Sequence, residues 1–330
     1  MAYAVPEDRQ SAGPEAPLRV GLLVDSTIQP AWVARALQRV VETGTGEFVL
    51  VVQNAALPTP VRSLRIARWW RNRRHLLYAA YQRLDRRRFV PDPDPFAPVD
   101  LSDLLAGVPR LNVVPRQTKN SDIIVAGDID TIRKSNLDVL VLLGFRILRG
   151  EILDAAKYGV WSWHHGDNDR YRGGPPCFWE VLEGEPVTGT ILQRLTEALD
   201  DGEVLYRSWG STNVFSVKRN SLEIYWKSAE FLARALRHVQ LGARPVEAEG
   251  HPTPYGHKLY VAPTNVEMAV GISKMLARRV RAKWQSMTSV DQWYLAWRRT
   301  GGVPDENRAP DLAPFRFRSI YPPKERSFGG

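Results

Sequence analysis

The sequence predicts an α/β fold, a mainly parallel twisted sheet with flanking helices, followed by a helical, Trp- and Pro-rich C-terminal extension. Three features carry this reading. Near the start, the apolar run Leu18-Arg-Val-Gly-Leu-Leu-Val24, an amphipathic stretch from Gln29 to Glu42 and the run Glu47-Phe-Val-Leu-Val-Val52 alternate as strand, helix and strand. In the middle, Leu137-Asp-Val-Leu-Val-Leu-Leu143 is almost continuously apolar, the pattern of a strand covered on both faces. Shortly after it, the stretch Trp161 to Trp179 packs two histidines, two aspartates and two arginines against a glycine pair and a diproline. That density of chemistry belongs at the loop edge of a sheet, where ligands bind in such folds.

Taken in order, the chain's 330 residues exceed the ~100–200 of a single typical domain, so one principal domain with an appended region is expected. Composition is that of a globular chain, 44% hydrophobic and 25% charged. Residues 1–17 lack the apolar stretch of a secretory signal and read as a disordered leader. No apolar run approaches the ~20 residues of a membrane span. A single cysteine, Cys177, excludes an internal disulfide and fits a reducing, cytoplasmic setting; beside Phe178 and Trp179 it reads as a packed small hydrophobe. The turn after the first strand, Asp25 to Pro30, lacks G-x-G-x-x-G, which argues against a nicotinamide enzyme.

An arginine-rich insertion occupies about 60–90. Ile66, Trp70, Leu77, Tyr81 and Leu84 recur there at helical spacing and predict one or two amphipathic helices. Its arginines, Arg71, Arg73 and Arg74 among them, form either a solvated face or a phosphate-reading one. The net charge of +9 suits an anionic partner, whether a nucleotide-sugar pyrophosphate, an anionic lipid surface or a tRNA backbone. Pro91 to Pro95 reads as a rigid connector, 103–107 as a short helix, 111–114 as a strand and 127–134 as a helix. Pro175 and Pro176 suit a first helical turn, with Cys177 to Glu183 helical and Gly184 capping it. Asn220 with Glu223 resembles a capping box for a helix whose stripe is Tyr225, Ala229, Leu232, Leu236 and Val239, ended by Gly242. A basic helix over about 266–285 and a Trp-rich tail complete the chain.

Gly159-Val-Trp-Ser-Trp-His164, followed seven residues on by Tyr171-Arg-Gly173, resembles the signature of folate-dependent formyltransferases, roughly Gly-x-x-Asn-x-His-Pro-Ser-Leu-Leu-Pro-x-Tyr-Arg-Gly. The similarity extends over about residues 18–240, through Leu137 to Gly159 upstream and through Val187-Thr-Gly-Thr-Ile191 and Leu199 to Leu205 downstream. It implies a formyltransferase-like domain over 18–243 and an extension over 244–330. The family's catalytic His falls on His164, its catalytic Asp on Asp200 and its Asn on Ser162, so a hydroxyl stands where the family has an amide. Asn168 or His165 is then expected to supply the missing donor. The resemblance further implies 10-formyltetrahydrofolate as formyl donor, held along Leu143, Gly144, Phe145, Ile147 and Leu148, with His165, Asp167, Arg172, Gly173 and Gly174 on the acceptor side.

The acceptor expected is an amine, an amino sugar or nucleotide-sugar ahead of methionyl-tRNA, because no tRNA-binding barrel is recognisable and nucleic acid is not the expected partner. The tail, with Asp291 to Arg298 and Phe315 to Arg326, resembles the approach to a propeller domain in proteins similar to glucosamine inositolphosphorylceramide transferases. That resemblance implies a separate propeller-domain partner, and it supports a rival reading in which the domain is an accessory module binding an anionic glycolipid or nucleotide-sugar. No metal site is expected, since His164, His165 and Asp167 on an extended segment point to different faces.

Overall fold

The computed structural model describes residues 16–56, 73–89, 92–197, 202–242 and 259–300, with residues 285–300 described by backbone alone. The chain divides into two units, Met1–Met275 and Leu276–Gly330. The first is built on seven strands: β1 (Leu18–Val24), β2 (Gly46–Asn54), β3 (Arg110–Val113), β4 (Val139–Leu142), β5 (Val160–His164), β6 (Val187–Arg194) and β7 (Glu203–Ser211). They lie in the order β7-β6-β5-β4-β1-β2-β3. β1 to β5 run parallel, while β6 pairs antiparallel with β5 and β7 antiparallel with β6. Seven helices are described: α1 (Ala31–Glu42), α2 (Leu76–Arg88), α3 (Ala126–Lys134), α4 (Trp179–Glu183), α5 (Val217–Ser228), α6 (Phe231–Gln240) and α7 (Asn265–Thr300).

Alternation along the strands divides the core into two layers. Val20, Leu22 and Val24 of β1, Val139 and Val141 of β4 and Trp161 of β5 face α1 and α6, meeting Leu37, Val40, Leu232 and Leu236. Leu23, Leu140 and Val160 point the other way, against Ile129 and Ile132 of α3 and Ile152 and Leu153 of the turn after β4. Each such fully buried aliphatic side chain contributes about 1.5–3 kcal/mol. A third cluster of Tyr171, Phe178, Trp179, Val181, Leu182, Met268 and Met275 packs the first turns of α7 on the segment after β5. Gly271 permits that approach, since a Cβ there would strike the side chain of Leu182. The described part of the second unit, Leu276 to Thr300, is helical, and Leu276, Val280 and Trp284 are exposed along it.

Several elements differ from the sequence expectation. α1 starts at Ala31, because Ile28–Pro30 is spent as a short strand antiparallel to Pro98–Asp100. The 103–107 stretch forms turns, and α4 starts at Trp179 because Cys177 adopts φ 56, outside the helical region. The single helix predicted to start at Asn220 and end at Gly242 is two helices, α5 starting at Val217, broken at Ala229 and Glu230. Its N-cap is Ser216, whose Oγ accepts from the Arg219 amide at 3.1 Å, whereas Asn220 is buried inside α5 with its amide donating to the Cys177 carbonyl and to Thr188 Oγ1. In the insertion, Ile66, Trp70 and Arg71 lie outside the described residues. Of the predicted stripe, Tyr81 faces inward in α2 whereas Leu77 and Leu84 are exposed, and the helix docks through Tyr78, Tyr81 and buried Asp85. Tyr78 meets Phe178 edge to face at 5.0 Å, and Asp85 accepts from Ser216 Oγ and the Lys218 amide, both at 2.8 Å. The two leucines stay outside because two tyrosines, one of them the stripe's own Tyr81, and a carboxylate that caps α5 hold this helix.

Candidate active site

β5 places two residues of the motif side by side. Successive side chains of a strand alternate in direction, so Trp161 and Trp163 enter the core while Ser162 and His164 share the opposite face. The Trp163 indole donates to the Ser228 carbonyl at 3.0 Å, which pins that alternation. Ser162 and His164 open on a cavity of about 370 Å³ at the carboxyl ends of β4 and β5, lined also by Leu142, Phe145, Ile147, Leu148, Gln193 and Gly202. Clefts at the carboxyl ends of parallel strands are where α/β sheets bind ligands.

His164 is half-buried, and its Nε2 lies 3.3 Å from the Tyr171 carbonyl oxygen, which accepts a hydrogen bond when Nε2 carries the proton. Gly166 sits against the ring: a Cβ at that position would lie 3.1 Å from Nε2. Any side chain at position 166 would therefore press on the imidazole.

The wall after β4 is braced rather than free. Buried Asp122 accepts from Arg146 Nε at 2.9 Å and Nη2 at 2.6 Å, and from the Arg146 amide at 3.0 Å. The strand Ile147–Leu148 pairs in parallel with Ser121–Ile123. These bonds fix Phe145 to Leu148 as a preformed surface. Of the expected donor-binding residues, Phe145, Ile147 and Leu148 line the cavity. Leu143 instead packs on the opposite core layer, and Gly144 backs onto Asp25, where a Cβ would collide with the Asp25 amide nitrogen.

The rest of the motif divides between core and loop. His165 is buried away from the cavity, its Nε2 at 3.0 Å from Ser228 Oγ and its ring stacked on Tyr225 at 3.7 Å. Burial, with the neighbouring His164 adding to it, holds its pKa down at about 3, so the ring is neutral. Such a residue packs; it cannot donate into the cavity, contrary to the expectation for it. Asn168 is also buried, its Oδ1 accepting from Arg207 Nη2 at 2.7 Å beside the Arg207–Asp169 ion pair, and it is not among the cavity-lining residues. Asp167 Oδ1 accepts from the Asp169 amide, and its backbone lies over Gly189, whose Cβ would come 2.9 Å from Asp167 Cα. Arg172 Nε donates to the Asn168 carbonyl at 3.2 Å. Gly173 has φ 89, and a side chain there would collide with the Tyr260 carbonyl that receives the Gly174 amide. Arg172, Gly173 and Gly174 thus shape the loop, and Arg172–Gly173 pairs with Leu259–Tyr260. Asp200 lies outside the described residues. Cys177 is buried, and burial pushes its thiol pKa upward, as a packed residue requires. Among the described residues no cluster of three or more His, Cys, Asp or Glu can hold a metal ion, and no helix is long and apolar enough to cross a membrane.

Two contributors escaped the sequence reading. Asp122 is remote in the chain and gave no local signal. Gln193 sits on β6 directly opposite Ser162 in the antiparallel register, buried and facing the same cavity. Only the strand pairing reveals it.

No family model matches the chain. The chain is 30% identical over 256 residues to the methionyl-tRNA formyltransferase of Xanthomonas euvesicatoria pv. vesicatoria, covering 74% of this chain and 73% of that protein. To the methionyl-tRNA formyltransferase of Prochlorococcus marinus it is 26% identical over 188 residues, and this chain spans about half of that relative, 54% of its length. Among solved structures, glycinamide ribonucleotide transformylase 1 of Symbiobacterium toebii aligns at a TM-score of 0.44 with 16% identity, covering 69% of this chain and 90% of that one, too distant a likeness to carry weight here. The Xanthomonas match, spanning most of both chains and including the His164 motif region, shows that the chain belongs to the folate-dependent formyltransferase family.

Proposed function

We propose that the protein transfers a formyl group from 10-formyltetrahydrofolate to an amine, with an amino sugar or nucleotide-sugar as acceptor. One observation carries the reading: Ser162 and His164 project together into a preformed cavity whose wall, Phe145 to Leu148, is held by Asp122. The side chains of Phe145, Ile147 and Leu148 on that braced wall give an apolar surface, which suits a flat heterocycle. The co-substrate supplies the activated formyl carbon.

Formyl transfer to an amine passes through a tetrahedral oxyanion and needs a proton taken from the attacking nitrogen. His164 is the proton-handling group at this locus, because it is a titratable cavity residue at a strand end with its ring held by Gly166 and the Tyr171 carbonyl. Asp200, four residues beyond the cavity-lining Thr196 and two before Gly202, is assigned to orient that imidazole and share the proton. The acceptor enters on the side of the Asp167 to Arg172 loop. There the exposed indole of Trp209 on β7 neighbours the Arg207–Asp169 pair, an aromatic face beside polar groups that suits a sugar ring.

A second reading, methionyl-tRNA as acceptor, is favoured by the names of the relatives and by the net charge of +9. The test is acceptor-dependent release of tetrahydrofolate from 10-formyltetrahydrofolate, comparing amino-sugar nucleotides with methionyl-tRNA. Turnover with the sugar and not the tRNA supports the first reading; the reverse replaces it with the second; release with neither removes the transferase assignment.

A further inference from the structure

We infer that the Gln193 amide holds the formyl oxygen during transfer, in place of the strand amide that this chain lacks at Ser162. The inference rests on the formyl-transfer reading and adds a residue to it.

The chemistry sets the requirement. The amine nitrogen's lone pair forms a bond to the formyl carbon, the C=O π pair moves onto oxygen, and the nitrogen gives up a proton. The C=O then re-forms as the bond to the donor's nitrogen breaks, that nitrogen takes a proton, and a formamide and tetrahydrofolate leave. Between these events one oxygen carries a full negative charge. A neutral N–H donor aimed at it from a dry site is the usual stabiliser, and losing one costs about 10²–10³ in rate. Ser162 offers a short hydroxyl with a single donor.

Gln193 meets the requirement by position. It is the cross-strand partner of Ser162, and partners in an antiparallel pair carry their side chains on the same face, about 4.5–5.5 Å apart at Cβ. The residue is only 7% exposed, yet it lines the cavity together with Ser162 and His164. Its side chain is one methylene longer than Asn, which offsets part of the displacement of one strand. The amide end reaches across to Gly202: a Cβ there would lie 3.0 Å from Oε1 and 3.2 Å from Cδ. A side chain at 202 would first meet the Arg194 carbonyl oxygen, 2.5 Å from such a Cβ, and would also crowd the amide. Gln is uncharged, so it can donate to the oxygen without taking the proton that His164 must handle. None of the cavity's other lining residues except Arg146 and Trp163 carries a side-chain N–H donor beyond His164, and both are engaged, Arg146 with Asp122 and Trp163 with the Ser228 carbonyl.

The experiment uses the full chain carrying Gln193→Met, nearly isosteric and without a donor, and Gln193→Glu as a second variant should the first not fold. Two readouts are taken. The first is tetrahydrofolate release in a saturating acceptor: kcat is expected to fall about 10²–10³-fold with KM for the formyl donor within threefold of the parent. Adding Ser162→Asn to Gln193→Met is expected to recover at least tenfold, because it restores an amide one strand away. The second is binding, by tryptophan fluorescence, of a folate analogue bearing a hydrated aldehyde where the formyl group sits. Its gem-diol copies the tetrahedral carbon, and the parent's preference for it over the unsubstituted folate is expected to vanish in Gln193→Met. Parent-like kcat with parent-like gem-diol preference overturns the assignment. So does a loss shared equally by donor binding and kcat with no recovery from Ser162→Asn, which marks a packing residue. If the parent transfers formyl to no amine, the transferase reading fails, and the binding readout alone decides whether Gln193 recognises a tetrahedral centre.

Discussion

Glu180 is a carboxyl group in the wrong place for a charge, and replacing it should make the protein more stable at high pH. It lies in α4, essentially inaccessible, and its Oε1 has no hydrogen-bond partner among the described residues. Burial first, then the Asp167, Glu183 and Glu185 carboxylates, raise its pKa from 4.5 to about 7. Because the folded-state value lies above the unfolded one, the stabilising contribution is fully present below about pH 4.5 and is lost as pH rises through about 7. At about 1.4 kcal/mol per pKa unit, the shift is worth roughly 3 kcal/mol between those limits. Glu180→Gln keeps the shape and removes the titration. Urea unfolding at pH 5 should find the variant within about 1 kcal/mol of the parent, and at pH 8 about 2–3 kcal/mol more stable. Taking the difference between variant and parent at each pH cancels the opposite contribution of His165, whose depressed value destabilises the folded state as pH falls below 6.5 towards about 3. A variant less stable than the parent at pH 8, or a difference that does not change with pH, would refute the argument that Glu180 is buried without compensation.

Other outcomes follow from the same structure. The imidazole of His165 should remain neutral down to about pH 4 in ¹⁵N NMR of the folded protein; a titration near 6.5 would mean that its stack on Tyr225 is open to water. Asp122→Ala should cost about 1–3 kcal/mol in unfolding free energy and weaken binding of a folate analogue, because it frees Arg146 and the wall it anchors; unchanged binding would make that brace irrelevant to the cavity. Gly144→Ala drives a Cβ into the Asp25 backbone and should destabilise by at least about 1–3 kcal/mol, read by thermal unfolding, with wild-type stability refuting the close approach. His164→Ala and Asp200→Asn should each lose about as much kcat as the double variant, since groups acting as a unit are non-additive; multiplicative losses would separate them.

The parallel sheet was legible because its strands are short, apolar and β-branched: Leu18–Val24 appears in the structure as read. β5 and the helix stripes through Leu232, Leu236 and Val239 were legible for the same reason, as a period of two or 3.6 leaves a pattern on neighbouring residues. His164 and Ser162 were picked out by the resemblance of a contiguous motif, Gly159 to Gly173, to the formyltransferase signature, and they do share the cavity. What was not legible depends on pairing across the chain. Nothing near His165 announces that its ring turns into the core against Tyr225, 60 residues away. Asn168 resembles a free amide until Arg207 on the edge strand is seen to hold it. The exposed leucines of α2 show the converse: of the apolar pattern only Tyr81 turns inward among the described residues, and the helix docks through it with Tyr78 and Asp85, because a buried capping carboxylate and edge-to-face rings outweigh two aliphatic side chains.

The central claim is that the face of β5 bearing Ser162 and His164 is where a formyl group changes hands. It is tested most directly by mixing the protein with 10-formyltetrahydrofolate and an amino-sugar nucleotide, then following tetrahydrofolate formation in the parent and in His164→Ala under single-turnover conditions. Tetrahydrofolate and formylated sugar should appear together in the parent, and fall by about 10²–10⁴-fold in the variant while folate-analogue binding persists. Equal rates in parent and His164→Ala would contradict the claim.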